Sequence, residues 1–298
     1  MEYTLVQPWL SALRSVLTQP GLLEGLPGGH APLMESDDPR LFNLLRATEA
    51  EPAQFLGLLQ HRRARRVGPA FEALVQWGIE QGMGYRCVAS DVQIFSDKRT
   101  IGSLDLLLET SDRKFEHWEL AYKVYLQVDT EPGWESWVGP GHRDRLNTKV
   151  RRLLDHQLPM SETKEAHPVL AKLGVDSVSR RRVLLQGVLF SEWGKQPSRA
   201  TQAHQTAQGR WLRPSGLDSL LQQYPDCTWV LREKPLWFGP WGGARQEGRT
   251  SSQFHQIIEG MSLDYPVLWS RLPSDEYPEE EMVFVVPERW GLEPNHLD

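Results

Sequence analysis

The sequence predicts a mixed α/β fold, and three observations carry that expectation. A proline-started helical stretch, Pro69 onward, precedes three strand-like segments separated by turn residues. An amphipathic stretch and then a near-continuous apolar run come after them. Helix, three-strand meander, helix, strand is an order that builds a mixed sheet with helices packed on it.

Each element has its own signal. Trp9, Leu10, Leu13, Val16 and Leu17 fall on one helical face, and Pro20 and Pro27-Gly28-Gly29 interrupt the chain after it. Residues 1–60 therefore read as a helical N-terminal extension. A helix is expected from near Pro69, with Phe71, Leu74, Val75 and Gly78 along it, to the glycines Gly82 and Gly84, because proline suits a first helical turn. Tyr85–Phe95, Ile101–Glu109 and Phe115–Val128 are rich in β-branched and aromatic residues, and Asp97-Lys98-Arg99 and Thr110–Lys114 are the turns between them. Trp134–Gly141 is a Gly/Pro/Trp loop, and Arg143–Gln157 is an amphipathic helix with Leu146, Val150, Leu153 and Leu154 inward. Val183–Phe190 suits a strand covered on both faces. Residues 61–192 form the expected core domain. Residues 193–298 form a C-terminal extension with short strands at Thr228–Leu231 and Met282–Val286 and a helix near Ser252–Ile258.

The formal net charge is −6, and the residues from 271 onward account for all of it, with Arg271 and Arg289 against eight acids. Elsewhere the basic residues cluster, at Arg62/Arg63/Arg65/Arg66, at Arg143/Arg145/Lys149/Arg151/Arg152 and at Arg180/Arg181/Arg182. Net acidity thus leaves a nucleic-acid partner open, because phosphate binding depends on local Lys and Arg. The acidic segment 275–281 is either a protein-partner site or a solvated tail. Cys87 and Cys227 are too few for a disulfide framework or a Cys-rich zinc site and read as reduced thiols. No apolar run is long enough to span a bilayer, and Glu2 with no basic n-region argues against a signal peptide. A cytoplasmic protein is expected.

The chemistry concentrates in the hairpin of the second and third strands. Alternation puts Phe115, His117, Glu119, Ala121, Lys123, Tyr125 and Gln127 on one face and Trp118, Leu120, Tyr122, Val124 and Leu126 on the other. A hairpin folded about Asp112 sets Asp105 opposite Glu119, with Cβ atoms roughly 5 Å apart. Two carboxylates that close repel unless one is protonated or a cation lies between them. Mg²⁺ takes one or two protein carboxylates and keeps water for the rest. The rival reading is structural, with Asp105 ending a turn and Glu119 paired to Lys123. Arg145, Lys149, Arg152 and His156 recur along one helix face, a stripe suited to a phosphate backbone or to solvent. Trp134, Trp137 and His142 are candidates for stacking on bases. Gly25–Gly29 and Gly239–Gly243 lack the Lys-Ser/Thr of a P-loop. His61, His117, His142, His156, His204 and His255 are scattered without zinc-ligand spacing.

Several strings together carry a resemblance. They are Gly68…Phe71-Glu72, Gly102-Ser103-Leu104-Asp105, Trp118-Glu119-Leu120-Ala121-Tyr122-Lys123-Val124-Tyr125-Leu126, Gly139-Pro140-Gly141, Asp144-Arg145-Leu146 and His156-Gln157-Leu158. Gly187-Val188-Leu189-Phe190, Trp211-Leu212 and Val283-Phe284-Val285-Val286-Pro287 extend them. Over most of its length the chain resembles the bacterial domain-of-unknown-function family 1853, grouped with the PD-(D/E)XK nuclease-like superfamily. The resemblance implies a restriction-endonuclease-like core and a metal-dependent nuclease. It implies Asp105, Glu119 and Glu72 as ligands of Mg²⁺ or Mn²⁺ and Asp105, Glu119 and Lys123 as the catalytic set; beside them, the basic stripe and the loop put Arg145, Lys149, Arg152 and His142 toward DNA or RNA. One departure stands out. The superfamily spaces acid and lysine two apart, whereas Glu119 and Lys123 are four apart, about 13 Å along a strand. Ala121, which binds no metal, occupies the position two before the lysine. The alternative implied by that departure is a catalytically inactive module that keeps the fold and binds nucleic acid or a protein.

Overall fold

A computed structural model describes residues 2–29, 31–129, 133–195, 208–239 and 247–291. Among the described residues, ten strands of a mixed sheet and eight α-helices make a mixed α/β protein, as the element order predicts. The chain divides into two compact units, Met1–Lys123 with Thr148–Gln186, and Val124–Asn147 with Gly187–Asp298. Residues 1–60 belong to the first unit. Among the described residues no helix is long and apolar enough to cross a membrane.

The first unit opens with four helices, α1 (Glu2–Thr18), α2 (Pro39–Ala50), α3 (Ala53–His61) and α4 (Val67–Gly82). The α4 residues Ala70, Phe71, Leu74, Val75, Gly78 and Ile79 are buried, an apolar stripe at helical spacing. Gly78 lets α1 come close, since a Cβ there would lie 2.3 Å from Leu17 Cδ2. Three antiparallel strands come next, β1 (Arg86–Ser96), β2 (Arg99–Glu109) and β3 (Phe115–Gln127). Thr110 N–H donates to Lys114 O at 2.8 Å to close the β2–β3 turn. Leu106 pairs with Trp118 and Glu109 with Phe115, the register of a hairpin folded about Asp112. β2 runs against β1 along nearly its whole length but pairs with β3 only from Leu106 to Glu109. The two strands therefore part at Asp105.

The expected helix Arg143–Gln157 is interrupted. It consists of α5 (Leu146–Arg152), one π-helical turn (Leu153–Gln157) and a 3₁₀ turn (Leu158–Glu162), with α6 (His167–Lys172) beyond. The 3₁₀ turn lies beside the freed part of β2, where Gly102 makes room for Met160. Strand β5 (Arg180–Glu192) begins in this unit, and residues 22–27 lie along it. Leu22 N–H donates to Leu185 O at 2.6 Å, and Val183 N–H to Pro27 O at 2.9 Å. The buried Gln186 amide donates to Val16 O and Gln19 O, capping the end of α1. Gly29 sits so close that a Cβ would be 2.0 Å from Val183 O.

The second unit carries the ends of β3 and β5 together with β4 (Trp137–Val138), β6 (Gln208–Leu212), β7 (Thr228–Arg232), β8 (Arg249–Thr250), β9 (Val267–Arg271) and β10 (Glu281–Val285). β6 lies parallel to β5 and β10, and the order β10-β9-β7-β8 is antiparallel. Of these, β7 and β10 are legible in sequence; β6, β9 and helix α7 (Leu217–Gln223) are not. Helix α8 (Ser251–Gly260) matches the expected Ser252–Ile258 and starts at a capping box of Thr250 and Gln253. Trp229, Phe254 and Trp269 pack between α8 and the strands, with Trp229 stacked on Phe254 at 4.5 Å. Arg232 is buried and donates to Glu280 Oε1 at 2.8 Å and to the carbonyls of Leu236 and Phe238. His204, Pro240–Gly243 and the end of the acidic tail lie outside the described residues.

Two substitutions check this packing. Gly29→Ala must push a backbone carbonyl aside and is expected to cost about 1–3 kcal/mol, the range of overpacking, read as a lower urea midpoint with unchanged slope. Arg232→Met takes the cation away from the buried Glu280 carboxylate and is expected to cost about 3–5 kcal/mol in the same assay. A change within about 0.5 kcal/mol, the size of an ordinary surface substitution, would refute either account.

Candidate functional site

The first unit gathers its acids where β2 leaves β3. β3 is covered on both faces, so the face that alternation marked as polar is buried as well. Glu119 and His117 are both 0% exposed. A carboxylate without water must be hydrogen-bonded, and Glu119 has several donors. His117 Nε2 donates to Oε1 at 2.8 Å, Gln157 Nε2 donates to Oε2 at 2.7 Å, and the Asp105 backbone N–H donates as well. Burial drives His117 down to about 4, so the ring is neutral. Its one N–H faces Glu119, and Nδ1 accepts from the Ser161 hydroxyl at 3.1 Å.

Asp105 is half-buried on β2, and its Oδ2 accepts the Leu120 N–H at 2.8 Å. The side chain thus replaces the ladder bond that β2 no longer supplies. The Asp105 and Glu119 carboxyls act on each other directly, and a proton held on Asp105 would be donated to Glu119. Burial first, and then the Glu119 charge, push Asp105 up to about 7. Burial pushes Glu119 up to about 7 as well. Glu72 on α4 joins them; burial and then the Asp105 charge raise it to about 7, against the pull of Arg62, whose Nη1 is 3.6 Å from Glu72 Oε2. Asp91 adds a fourth negative charge near Glu72. The pairs Ser90↔Leu106 and Val92↔Leu104 set it opposite Asp105, on backbone with φ +50°.

Lys149 is the cation that reaches this cluster from α5. Burial and then Lys123 lower its pKa, while Asp105 and Glu119 act in the other direction. Its Nζ donates to Gln157 Oε1 at 3.0 Å. Lys123 on β3 is half-buried and close enough for its charge to act on Lys149. The remaining predicted nucleic-acid residues do not gather here. Arg152 is exposed on α5, while Arg145 and His142 belong to the second unit, where His142 packs on the Trp290 ring at 4.7 Å. Trp137 is 3% exposed and fills core, so it has no face for a base. The Arg180–Arg182 cluster is divided among partners, Arg181 with Glu162 and Arg182 with Gly28 O and the Trp118 ring.

Among the described residues, no group of three or more His, Cys, Asp or Glu is placed to hold a metal ion. The donor set still fits a hard divalent cation, which needs only one or two protein carboxylates. Asp105 and Glu119 supply that number, and each is held above its ordinary pKa by the negative charge or burial a cation would offset. Sequence reasoning missed His117, Gln157, Ser161 and Asp91 as parts of the site. Alternation did place His117 on the Glu119 face; no local signal marked the other three.

A family model described as a domain of unknown function, DUF1853, matches residues 11–286. No curated protein and no solved structure was found to match the chain.

The raised carboxyls set a pH dependence. A carboxyl whose folded pKa is about 7 and whose unfolded pKa is near 4 binds more protons folded than unfolded between those values, so its contribution falls as pH rises through that window. His117 works in the opposite sense below its unfolded pKa. Asp105→Asn keeps an acceptor for Leu120 and a donor for Glu119 without the charge. Its Tm relative to wild type, in chelator, is therefore expected to rise between pH 5 and pH 8. A flat difference would mean that Asp105 is not held protonated.

Proposed function

The chain belongs to the DUF1853 family, and from its acidic cluster we propose a divalent-metal-dependent nuclease or nuclease-like phosphodiesterase. In this reading α4, β1, β2, β3, α5 and β5 make a PD-(D/E)XK nuclease-like core. The observation that carries it is the buried pairing of Asp105 with Glu119 where β2 and β3 part, both pushed up to about 7, with Glu72 near enough for the Asp105 charge to act on it. Asp105 and Glu119 would hold Mg²⁺ or Mn²⁺, with Glu72 beside them. When bound, the ion supplies Lewis-acid polarisation of a phosphoryl oxygen and a bound water of lowered pKa. Asp105 gives up its proton to take that role, His117 and Gln157 keep Glu119 in one rotamer, and Leu120 N–H keeps Asp105 turned to the site. A positive side chain facing the phosphate would stabilise the charge that develops on it. DNA and RNA share that phosphodiester.

Two observations favour the second reading, a nuclease-fold module without activity that binds nucleic acid or a protein. Both Glu119 oxygens already accept hydrogen bonds, and Ala121 stands two before Lys123.

Titration of Mn²⁺ into metal-free protein separates the two. Saturable binding with proton release, lost in Asp105→Asn, is expected for the metal site. Absence of binding up to millimolar ion, with or without a short oligonucleotide, and with both proteins folded, would remove the nuclease reading.

A further inference from the structure

We propose that Lys149 on α5, and not Lys123 on β3, is the lysine that meets the substrate phosphate. This deepens the nuclease reading and rests on it. The spacing between Glu119 and Lys123 departs from the superfamily pattern, and a second lysine stands at the same acids.

The geometry comes from the Gln157 amide. Its Nε2 donates to Glu119 Oε2 at 2.7 Å and its Oε1 accepts from Lys149 Nζ at 3.0 Å. That orientation is the favourable one, because the reversed amide would set its NH₂ against an ammonium and its oxygen against a carboxylate. The amide also acts as a spacer. Lys149 makes no salt bridge among the described residues, although its charge acts on Asp105, Glu119 and Glu72. The acids hold it without neutralising it by contact. An ammonium has three N–H donors, and Gln157 takes one, leaving two for a phosphate oxygen. Lys149 is half-buried, so the side chain keeps part of its surface open to solvent.

The π turn makes this arrangement possible. In an unbroken α-helix, eight residues advance about 800°, leaving Gln157 roughly 80° from Lys149. One extra residue in the turn takes back about 100° and brings the two side chains onto one face. Lys123 then has a different part. Its charge acts on Lys149, whereas the cation whose charge acts on Asp105 and Glu119 is Lys149.

The test uses full-length protein with Lys149→Met, Lys149→Gln and Lys123→Met, each checked for cooperative thermal unfolding. The probes are Mn²⁺ alone and a fluorescent 12-nucleotide single strand in Ca²⁺, with cleavage read in Mn²⁺. Removing a cation from beside carboxylates should tighten Mn²⁺ several-fold in both Lys149 variants. The same variants should weaken oligonucleotide binding about tenfold and slow cleavage on the order of 10²-fold, the scale of one lost electrostatic contact to a transition state. Lys123→Met should change each by less than about threefold. A merely structural lysine would lower Tm without tightening Mn²⁺. Equal effects of the two lysines, or a larger effect at Lys123, would overturn the proposal. Wild-type protein that binds no Mn²⁺ would instead overturn the metal reading beneath it.

Discussion

A carboxylate shut off from water is the most demanding group a strand can carry, and Glu119 imposes that demand on the first unit. Its oxygens draw hydrogen bonds from β2, from its own strand and from the π turn after α5. The elements that make the site are therefore the elements that solvate one buried acid. His117 must be neutral and present its N–H, so Ser161 must donate to the other nitrogen. Gln157 must point its amide nitrogen inward, so its oxygen is left for a cation, and Lys149 supplies one. Each requirement passes to the next residue in turn.

The hydrogen bonds satisfy Glu119 without removing its charge, and this is where stability gives way to chemistry. Glu72, Asp105 and Glu119 all sit well above the ordinary carboxylate range. Such groups weaken the fold near neutral pH. A core built only for stability would pair them directly with cations or replace them by apolar residues. Here Arg62 stands 3.6 Å from Glu72, and Lys149 is separated from Glu119 by an amide. Incomplete neutralisation of clustered acids is what a divalent cation or a bound phosphate can use. Arg232 in the second unit is the contrast. Its ion pair with Glu280 is direct, and its Nη groups also donate to the Ser270 hydroxyl and to the carbonyls of Leu236 and Phe238, so it ties loop to strand.

Local pattern determined much of this. Period-two alternation and two short turns define the meander, and the hairpin register about Asp112 can be counted from the residue numbers, because strand pairing in a tight hairpin is set by its turn. That register brings Asp105 to Glu119, the central pair of the site. The helix from Pro69 and the strand around Val183–Phe190 are equally local signals.

The tertiary structure decided the rest. Whether the polar face of β3 meets water depends on what packs over it, and the cover comes from residues 158–162, some forty positions along the chain. Arg145 precedes α5 and His156 lies in the π turn, so the stripe of Arg145, Lys149, Arg152 and His156 drawn on one ideal helix is divided. Lys149 turns to the acids and Arg152 to solvent. Short-range periodicity reports which residues share a face. It carries no information on which distant segment covers that face, and it is this cover that buries Glu119 and selects its partners.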